Sequence, residues 1–294
     1  MIGIIVINSY TYSESVRFKV NRIIDEFKKN NISIDIYKTI DLKISIENFN
    51  CKMIDLNKYS FCIYLDKDIY VSKMLEQYIP LYNSSRSIEL CDDKMLTYIS
   101  LLNNNIRMPL TIAAPLCYKD NPDEKTIINF ISYVESKLEF PLICKESFGS
   151  LGKQVRLISN HKELCDIYKS LIKTPHIYQR FIKSSCGIDY RIFTIDSKPV
   201  AWMQRKNDHD FRSNIALGGI GYNKKPPQSY LDMAEKASKI LGLTYAGVDV
   251  LIDEDGEPTL AEVNSNAFFT EIEKISGVNI SKLFVDSVLS KILK

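Results

Sequence analysis

Tyr245-Ala-Gly-Val-Asp249-Val-Leu-Ile252 and Thr259-Leu-Ala-Glu262-Val-Asn264 are two apolar runs flanking the turn sequence Asp253-Glu-Asp-Gly256. A turn between two such runs makes them antiparallel neighbours. Strand side chains alternate with period two, so Glu262 and Asn264 share a face, and the partner strand brings Asp249 close to them. Two carboxylates and an amide oxygen are hard donors that suit Mg²⁺, a cation that completes its shell with phosphate or water. Taken alone, Glu262 and Asn264 are also compatible with ordinary polar residues at a strand end.

Upstream, Pro141-Leu-Ile-Cys-Lys145 reads as a strand ending on a lysine, followed by the small-residue stretch Ser147-Phe-Gly149-Ser-Leu-Gly152. Amides of such a loop can fold around a phosphate while Lys145 supplies positive charge. The pattern is not GxxxxGK[ST], and a plain hairpin loop would read the same way. Gln204 to Tyr222 is polar and contains Arg205, Arg212-Ser213-Asn214 and Gly218-Gly219. An arginine there can grip a phosphate or carboxylate bidentately. The strand Tyr178-Gln179-Arg180-Phe181-Ile182, with Asp189 and Arg191 beyond it, can offer backbone groups to a base and a carboxylate to a sugar.

The remaining pattern is alternating α/β. Met1 to Asn8, Ile32 to Tyr37 and Phe61 to Leu65 read as strands. Val16, Val20, Ile23, Ile24 and Phe27 recur at helical spacing over Glu14 to Lys29. A helix near Val71 to Tyr78 completes a small open α/β unit, and no GxGxxG follows its first strand, which leaves a dinucleotide site there unsupported. Helices are expected over Cys91 to Asn104, Asp123 to Leu138, Lys162 to Ile172 and Tyr230 to Leu241, with more closing the chain. Strands are expected at Leu110 to Ile112, Gln154 to Leu157, His176 to Ile182, Tyr190 to Ile195 and Pro199 to Met203. Gln204 to Tyr222 reads as one long loop.

The 294 residues have a formal net charge of +2 and are 45% hydrophobic, so neither nucleic-acid nor membrane binding is indicated by charge. Apolar runs such as Ile4 to Ile7 are far too short to cross a bilayer, and residues 1–10 lack a basic n-region. A cytoplasmic protein is expected. The seven cysteines show no CxxC spacing and read as buried thiols of a reducing compartment. The three histidines likewise lack zinc-ligand spacing.

In order, Lys94, Lys145 with its loop, Gln179 to Ile182, Asp189, Asp210-Phe-Arg-Ser-Asn214, Asp249 and Glu262-Val-Asn264 resemble the ATP-grasp superfamily, most closely its RimK-like amino-acid ligases of the alpha-L-glutamate type. The resemblance covers about residues 83–280, and its most specific parts are Asp-Phe-Arg-Ser-Asn and Glu-Val-Asn at this separation. It implies an α/β (α+β) ATP-grasp fold: a pre-ATP-grasp domain over 1–90 and an ATP-grasp domain over 91–294, divided into a nucleotide-covering part (106–182) and a metal-binding part (183–294).

The resemblance further implies an ATP-binding set of Lys94, Lys145, Ser147, Gly149, Gly152, Gln179, Arg180, Phe181, Ile182, Asp189, Arg212, Ser213 and Asn214. Asp249, Glu262 and Asn264 would hold Mg²⁺, with Mn²⁺ as a substitute. Arg205, Arg212 and Asn214 would act in catalysis, and Arg191, Arg205, Ser265 and Asn266 would face the substrate. The implied reaction joins an amino acid to an amine- or carboxylate-bearing acceptor (peptide, protein or metabolite) through an acyl phosphate, with no protein nucleophile. Related enzymes are often homo-oligomers. Glutamate-adding relatives commonly carry Ser-Pro-Gly after Glu-Val-Asn, whereas this chain has Ser265-Asn-Ala-Phe-Phe269, which leaves the amino acid open. Two other readings stand beside this one: a graspetide-type ligase acting on a peptide side chain, and a synapsin-like module that binds ATP without turnover.

Overall fold

The computed structural model describes residues 1–11 and 13–293. Strand β1 (Ile2–Ile7) is buried from Gly3 onward, as expected of a parallel strand covered on both faces. Helix α1 (Glu14–Lys29) follows, capped by Ser13, whose side chain accepts from the Val16 amide. The chain continues through β2 (Ser33–Lys38), a small hairpin of β3 (Ser45–Glu47) and β4 (Asn50–Lys52), and β5 (Phe61–Leu65). Helix α2 (Ile69–Glu76), the short β6 (Leu81–Tyr82) and α3 (Ser85–Asp92) complete this part. The first sheet is parallel throughout, in the order β2-β1-β5-β6.

Helix α4 (Lys94–Leu101) comes directly after α3. One helix is expected over Cys91 to Asn104, and two are found. Asp93 takes an extended conformation that ends α3, and its carboxylate accepts from the Met95 and Leu96 amides to start α4. The break places Lys94 at the first turn of a new helix.

A second, antiparallel sheet contains β7 (Thr111–Ala113), β8 (Leu142–Glu146), β9 (Val155–Ile158) and β10 (His176–Arg180), in the order β7-β10-β8-β9. Helices α5 (Glu124–Lys137) and α6 (His161–Leu171) cover one face, packing Ile131, Val134, Leu164 and Tyr168 against Cys144 and Tyr178.

The third sheet holds β11 (Ile188–Ile195), β12 (Lys198–Lys206), β13 (Ile220–Tyr222), β14 (Tyr245–Ile252) and β15 (Pro258–Asn264), ordered β13-β12-β11-β14-β15. The expected loop over Gln204 to Tyr222 is therefore shorter. Gln204 to Lys206 extend β12, and Ile220–Tyr222 returns to pair with them. Helix α7 (Gln228–Ile240) covers one face through Tyr230, Ala234 and Ala237 against Ile192, Val248 and Leu260. The other face joins a core shared with the first sheet and α1. There Ile5, Val20, Ile23 and Phe27 cluster with Phe193, Tyr245 and Phe269, and with Phe284 and Val288 of α9 (Ile280–Ile292), which follows α8 (Thr270–Ser276).

The cysteines are all unpaired. Cys62, Cys91 and Cys144 are buried as expected, but Cys51, Cys117 and Cys165 are half-buried and Cys186 is exposed. No helix among the described residues is long and apolar enough to cross a membrane.

One polar side chain ties the first sheet to the third. Asn83, buried just beyond β6, donates to the carbonyls of Tyr245 and Ser265, each at 2.8 Å, and accepts from the amides of Thr244 (2.6 Å) and Tyr245 (3.1 Å). Both ends of its amide are satisfied, and its four partners are main-chain groups flanking the hairpin of β14 and β15. Removing it leaves buried backbone groups unpaired, at roughly 1–3 kcal/mol each. Asn83→Ala is expected to lower stability by about 3 kcal/mol or more, a fall in Tm of roughly 6 °C or more. A calorimetric melt superimposable on wild type would show that this tie contributes nothing.

Candidate active site

The β14–β15 hairpin forms as expected, and Asp249 stands directly across from Glu262. The register shifts between Asp249 and Val250, so the ladder changes step next to these carboxylates. Gly247 pairs with Asn264, and the Asn264 Nδ2 donates toward the Gly247 carbonyl at 3.4 Å. That orientation leaves the Asn264 oxygen free to act as a donor atom.

Two cavities flank this strand end. The first lies between the second and third sheets. Lys94, Lys145, Gly149, Gly152, Gln179, Phe181 and Ile182 form part of its wall, and Asp189, Arg212, Ser213, Asp249 and Glu262 form another part. The second, about 710 Å³, lies between the third sheet and the N-terminal sheet, with Asn8, Ser13, Lys19 and Lys67 on one side and Arg191, Asn264 and Asn266 on the other. Ser150, Arg205, Asn214 and Glu262 line both. A group passing from one cavity to the other meets these four residues.

The loop after Lys145 is held down. Arg212 Nη1 donates to the carbonyls of Gly152 (2.7 Å) and Val155 (3.3 Å), while Asp210 grips the rest of its guanidinium. A side chain on Gly152, which has φ +73, would come within 2.8 Å of the Asn214 oxygen. Only glycine permits both this backbone conformation and this approach. The room left in the first cavity, about 130 Å³, is well below the roughly 300–1,000 Å³ of a ligand pocket. Ser147 departs from expectation. It is buried at the end of β8 and does not line the cleft: its amide donates to the Pro175 carbonyl (2.8 Å) and its carbonyl accepts from the Lys94 amide (3.1 Å).

The arginines and aspartates are more tightly engaged than their separate roles imply. Arg205 is buried; its Nε donates to Asp189 at 2.8 Å, its Nη2 makes a second, short bond to the same carboxylate, and Nη2 also meets Asp249 at 3.0 Å. Arg191 grips the other side of Asp249, with Nη2 at 2.7 Å and a short contact from Nε. Asp189 anchors Arg205 with both oxygens while also lining the first cavity. Burial alone would raise the Asp249 pKa, but Arg191 and Arg205 overcome it and hold the carboxyl below its usual value. Arg205 is held above its ordinary value despite burial, because Asp189 and Asp249 stabilise its charge.

Arg180 turns its guanidinium away, to Asp253 at 3.0 Å in the hairpin turn. Of the residues expected to face a substrate, Arg191, Arg205 and Asn266 line the second cavity and Ser265 does not; its buried hydroxyl has no partner among the described residues. Lys19, Asn8, Ser13 and Lys67 were not anticipated. Of these only Lys19 leaves a trace in the sequence, as a lysine on the apolar stripe of α1.

Among the described residues no group of three or more His, Cys, Asp or Glu side chains could hold a metal ion. The candidate set is two carboxylates and an amide, Asp249, Glu262 and Asn264. Its chemistry fits Mg²⁺, which takes oxygen donors and keeps positions open for water and phosphate.

A cleft pinched between an antiparallel sheet carrying a glycine loop and a second sheet carrying paired carboxylates defines an ATP-grasp fold. The RimK-like ATP-grasp domain matches residues 91–288, and the chain belongs to that family. It is similar to human beta-citrylglutamate synthase B, 29% identical over 231 residues, which cover 76% of this chain and 57% of that protein. It is 32% identical over 219 residues to a probable alpha-L-glutamate ligase of Shewanella pealeana, covering 73% of this chain and 45% of that one. The chain thus spans about half the length of these relatives. Among solved structures, D-alanine–D-alanine ligase from Bacillus anthracis complexed with ATP superposes with a TM-score of 0.72 at 20% identity, covering 100% of this chain and 97% of that chain.

Lys145 yields a pH test. Burial lowers its pKa to about 8; Glu262 and Asp249 oppose the shift and Lys94 reinforces it. Below that pH the ammonium is charged and attracts phosphate, and above it the charge is lost. The affinity of the metal-free protein for ATP should fall as pH rises through about 8, and Lys145→Arg, which stays charged, should flatten the profile. A fluorescence titration that is flat in the wild-type protein would remove Lys145 from the phosphate site.

Proposed function

We propose that this protein is a carboxylate–amine ligase driven by ATP, adding an amino acid to an acceptor through an acyl phosphate. The observation that carries the reading is the junction of the two cavities at Ser150, Arg205, Asn214 and Glu262. One chamber has the lysines and glycine loop suited to a triphosphate. The other is roomier, with acidic and basic side chains set in a largely apolar wall, as a zwitterion and its acceptor can use. The relatives' names support glutamate as the first amino acid to try.

In the first step an oxygen of the substrate carboxylate bonds to the γ-phosphorus as the bond to the β-phosphate oxygen breaks and ADP leaves. In the second the amine nitrogen attacks the acyl carbon, the carbon–oxygen bond to phosphate breaks, and the nitrogen gives up a proton. Mg²⁺, or Mn²⁺ in its place, held by Asp249, Glu262 and Asn264, would supply positive charge to the phosphate oxygens. Lys94 and Lys145 hold the triphosphate from the loop side. Arg205, fixed by Asp189, presents its charge at the junction without needing to reorganise. Asn214 offers an amide there. Arg212 ties the loop down over the nucleotide and excludes water. No side chain forms a covalent intermediate, and positioning accounts for much of the rate.

Glu262 is the cleanest test, since Asp249 also neutralises two buried arginines and its replacement would disturb folding. Glu262→Gln is expected to reduce ADP release by more than the roughly 10–100-fold typical of a lost metal-supporting group, with an unchanged melting curve. A pooled screen of amino acids with carboxylate and peptide acceptors, read by phosphate release and product mass, decides between the readings. A new amide between two molecules supports the proposal. Loss of one water within a peptide selects side-chain ligation instead, and nucleotide binding with no turnover on any acceptor selects a silent module.

A further inference from the structure

The parallel N-terminal sheet reverses its winding at its centre. From β1 the chain runs outward to β2 on one side, while β5 and β6 build the other. Ligands of open α/β sheets settle outside the carboxyl ends of the strands at such a reversal. Ile7 and Leu65, the last residues of β1 and β5, are paired in register, so Asn8 and Asp66 emerge side by side at that point. Both line the second cavity. Asp66 is only 8% exposed. Asn8 Nδ2 donates to both of its oxygens, at 3.0 and 3.2 Å, and the Lys67 amide donates to one of them at 2.7 Å. These partners are neutral. The Lys67 ammonium turns away to Asp92 at 2.8 Å, and no lysine, arginine or histidine among the described residues pairs with Asp66.

A buried carboxylate without a counter-charge is unfavourable. Burial raises the Asp66 pKa above its usual value, and Asp68 nearby adds to the rise. A cation entering the cavity relieves both costs. Among the described residues no three acidic, histidine or cysteine side chains gather as a metal site would require. An ammonium needs only one such partner and has N–H groups to donate to it. The rest of the wall selects what carries that ammonium. Val16, Leu151, Met203, Ile215, Ala267 and Phe268 line the same chamber. Its other basic side chains are already engaged: Lys19 by three oxygens, Arg191 by Asp249, Arg205 by Asp189 and Asp249. No unpaired cation remains among the described residues of that wall to receive a carboxylate.

We infer that Asp66 binds the ammonium of the amine-bearing partner, and that this partner has an apolar body and no free carboxylate, as at the amino end of a peptide that begins with an apolar residue. The inference rests on the ligase reading above and deepens it by naming the class of one substrate. The N-terminal sheet then supplies the charge that holds the amine, and the apolar wall holds what is attached to it.

L-Leucinamide is the smallest probe of this class. It is titrated calorimetrically into the full chain loaded with Mg²⁺ and a non-hydrolysable ATP analogue, beside glycinamide, L-glutamate and isocaproamide, which is leucinamide without its ammonium. Leucinamide is expected to bind. Isocaproamide and glutamate should bind about tenfold or more weakly, the size of one interaction with a charged group, and glycinamide should lose a similar factor with the isobutyl side chain. Asp66→Asn keeps the shape and removes the charge. It should weaken leucinamide about tenfold or more without lowering the melting temperature, since it takes an uncompensated charge out of the interior. Affinity for the ATP analogue should stay within about twofold. Unchanged leucinamide binding by Asp66→Asn, or glutamate bound more tightly than leucinamide, overturns the inference and leaves the ligase reading intact. So does a wild-type protein that ignores leucinamide yet joins another amine in the pooled screen. Absence of any amide product across that screen sinks the ligase reading, and the titrations then still decide whether Asp66 holds an ammonium. Should Asp66→Asn fail to fold, the ranking of these probes on the wild-type chain decides.

Discussion

Asp249 sits between two guanidinium groups, and the rest of the site is arranged around that fact. Arg191 and Arg205 both bond to it, and Asp189 holds the far side of Arg205. Two positive and two negative groups thus form one buried, neutral cluster on the floor between the cavities. Isolated burial of any one of them would cost several kcal/mol; as a closed set the pairing offsets the desolvation. Such a cluster does little for net stability, but it fixes side chains that would otherwise be mobile. Arg205, buried and bonded to both Asp189 and Asp249, is left with few rotamers where the two cavities meet.

The cluster depends on strands contributed from separated parts of the chain. Arg191 and Asp189 come from β11, Arg205 from β12 and Asp249 from β14, which are adjacent in the third sheet. Arg191 pairs directly with Asp249 across β11–β14, and Asp189 with Arg205 across β11–β12. Cross-strand neighbours lie within about 5 Å at Cβ, close enough for charged side chains to meet. The sheet in turn is backed by a core shared with the N-terminal sheet, so the first eighty residues serve as a wall of the site as well as a packing partner. Asn83 and Lys19 both reach from that wall to the segment leaving β15. A shift of either sheet would be felt at the β14–β15 hairpin.

Much of this was legible in the sequence, because its signals were local. The period-two pattern at 245–264 located the hairpin, and helical spacing over Glu14 to Lys29 placed α1 with its observed ends. What escaped detection depended on pairing or direction. The division of the helix at Asp93 turns on one capping carboxylate, and the β13 edge strand at Ile220–Tyr222 exists only because β12 extends to meet it. Sequence order alone suggests Asp189 for ribose, Arg205 for substrate and Ser147 for phosphate; only the β11–β12 register shows the first two as an ion pair, and only the fold shows the third buried against Pro175 and Lys94. Surface cysteines such as Cys186 could not be told from buried ones, since composition carries no information on exposure.

Lys19 shows where sequence reading stops short for a physical reason. A lysine on an apolar stripe is legible as an anomaly, since charged side chains are almost never fully buried unless paired. Its partners, however, lie more than two hundred residues away, at Tyr245, Asn266 and Ala267. Only the folded chain shows that the anomaly is a support for an amide and not a free charge in the cavity. Burial lowers the Lys19 pKa well below its ordinary value, while three oxygen partners and a ring face favour the charged form. That tension is tolerable only if every partner stays in place. Lys19 is thus tied to the segment it bonds: a change there that removes the Asn266 or Ala267 oxygen leaves a buried ammonium short of a partner.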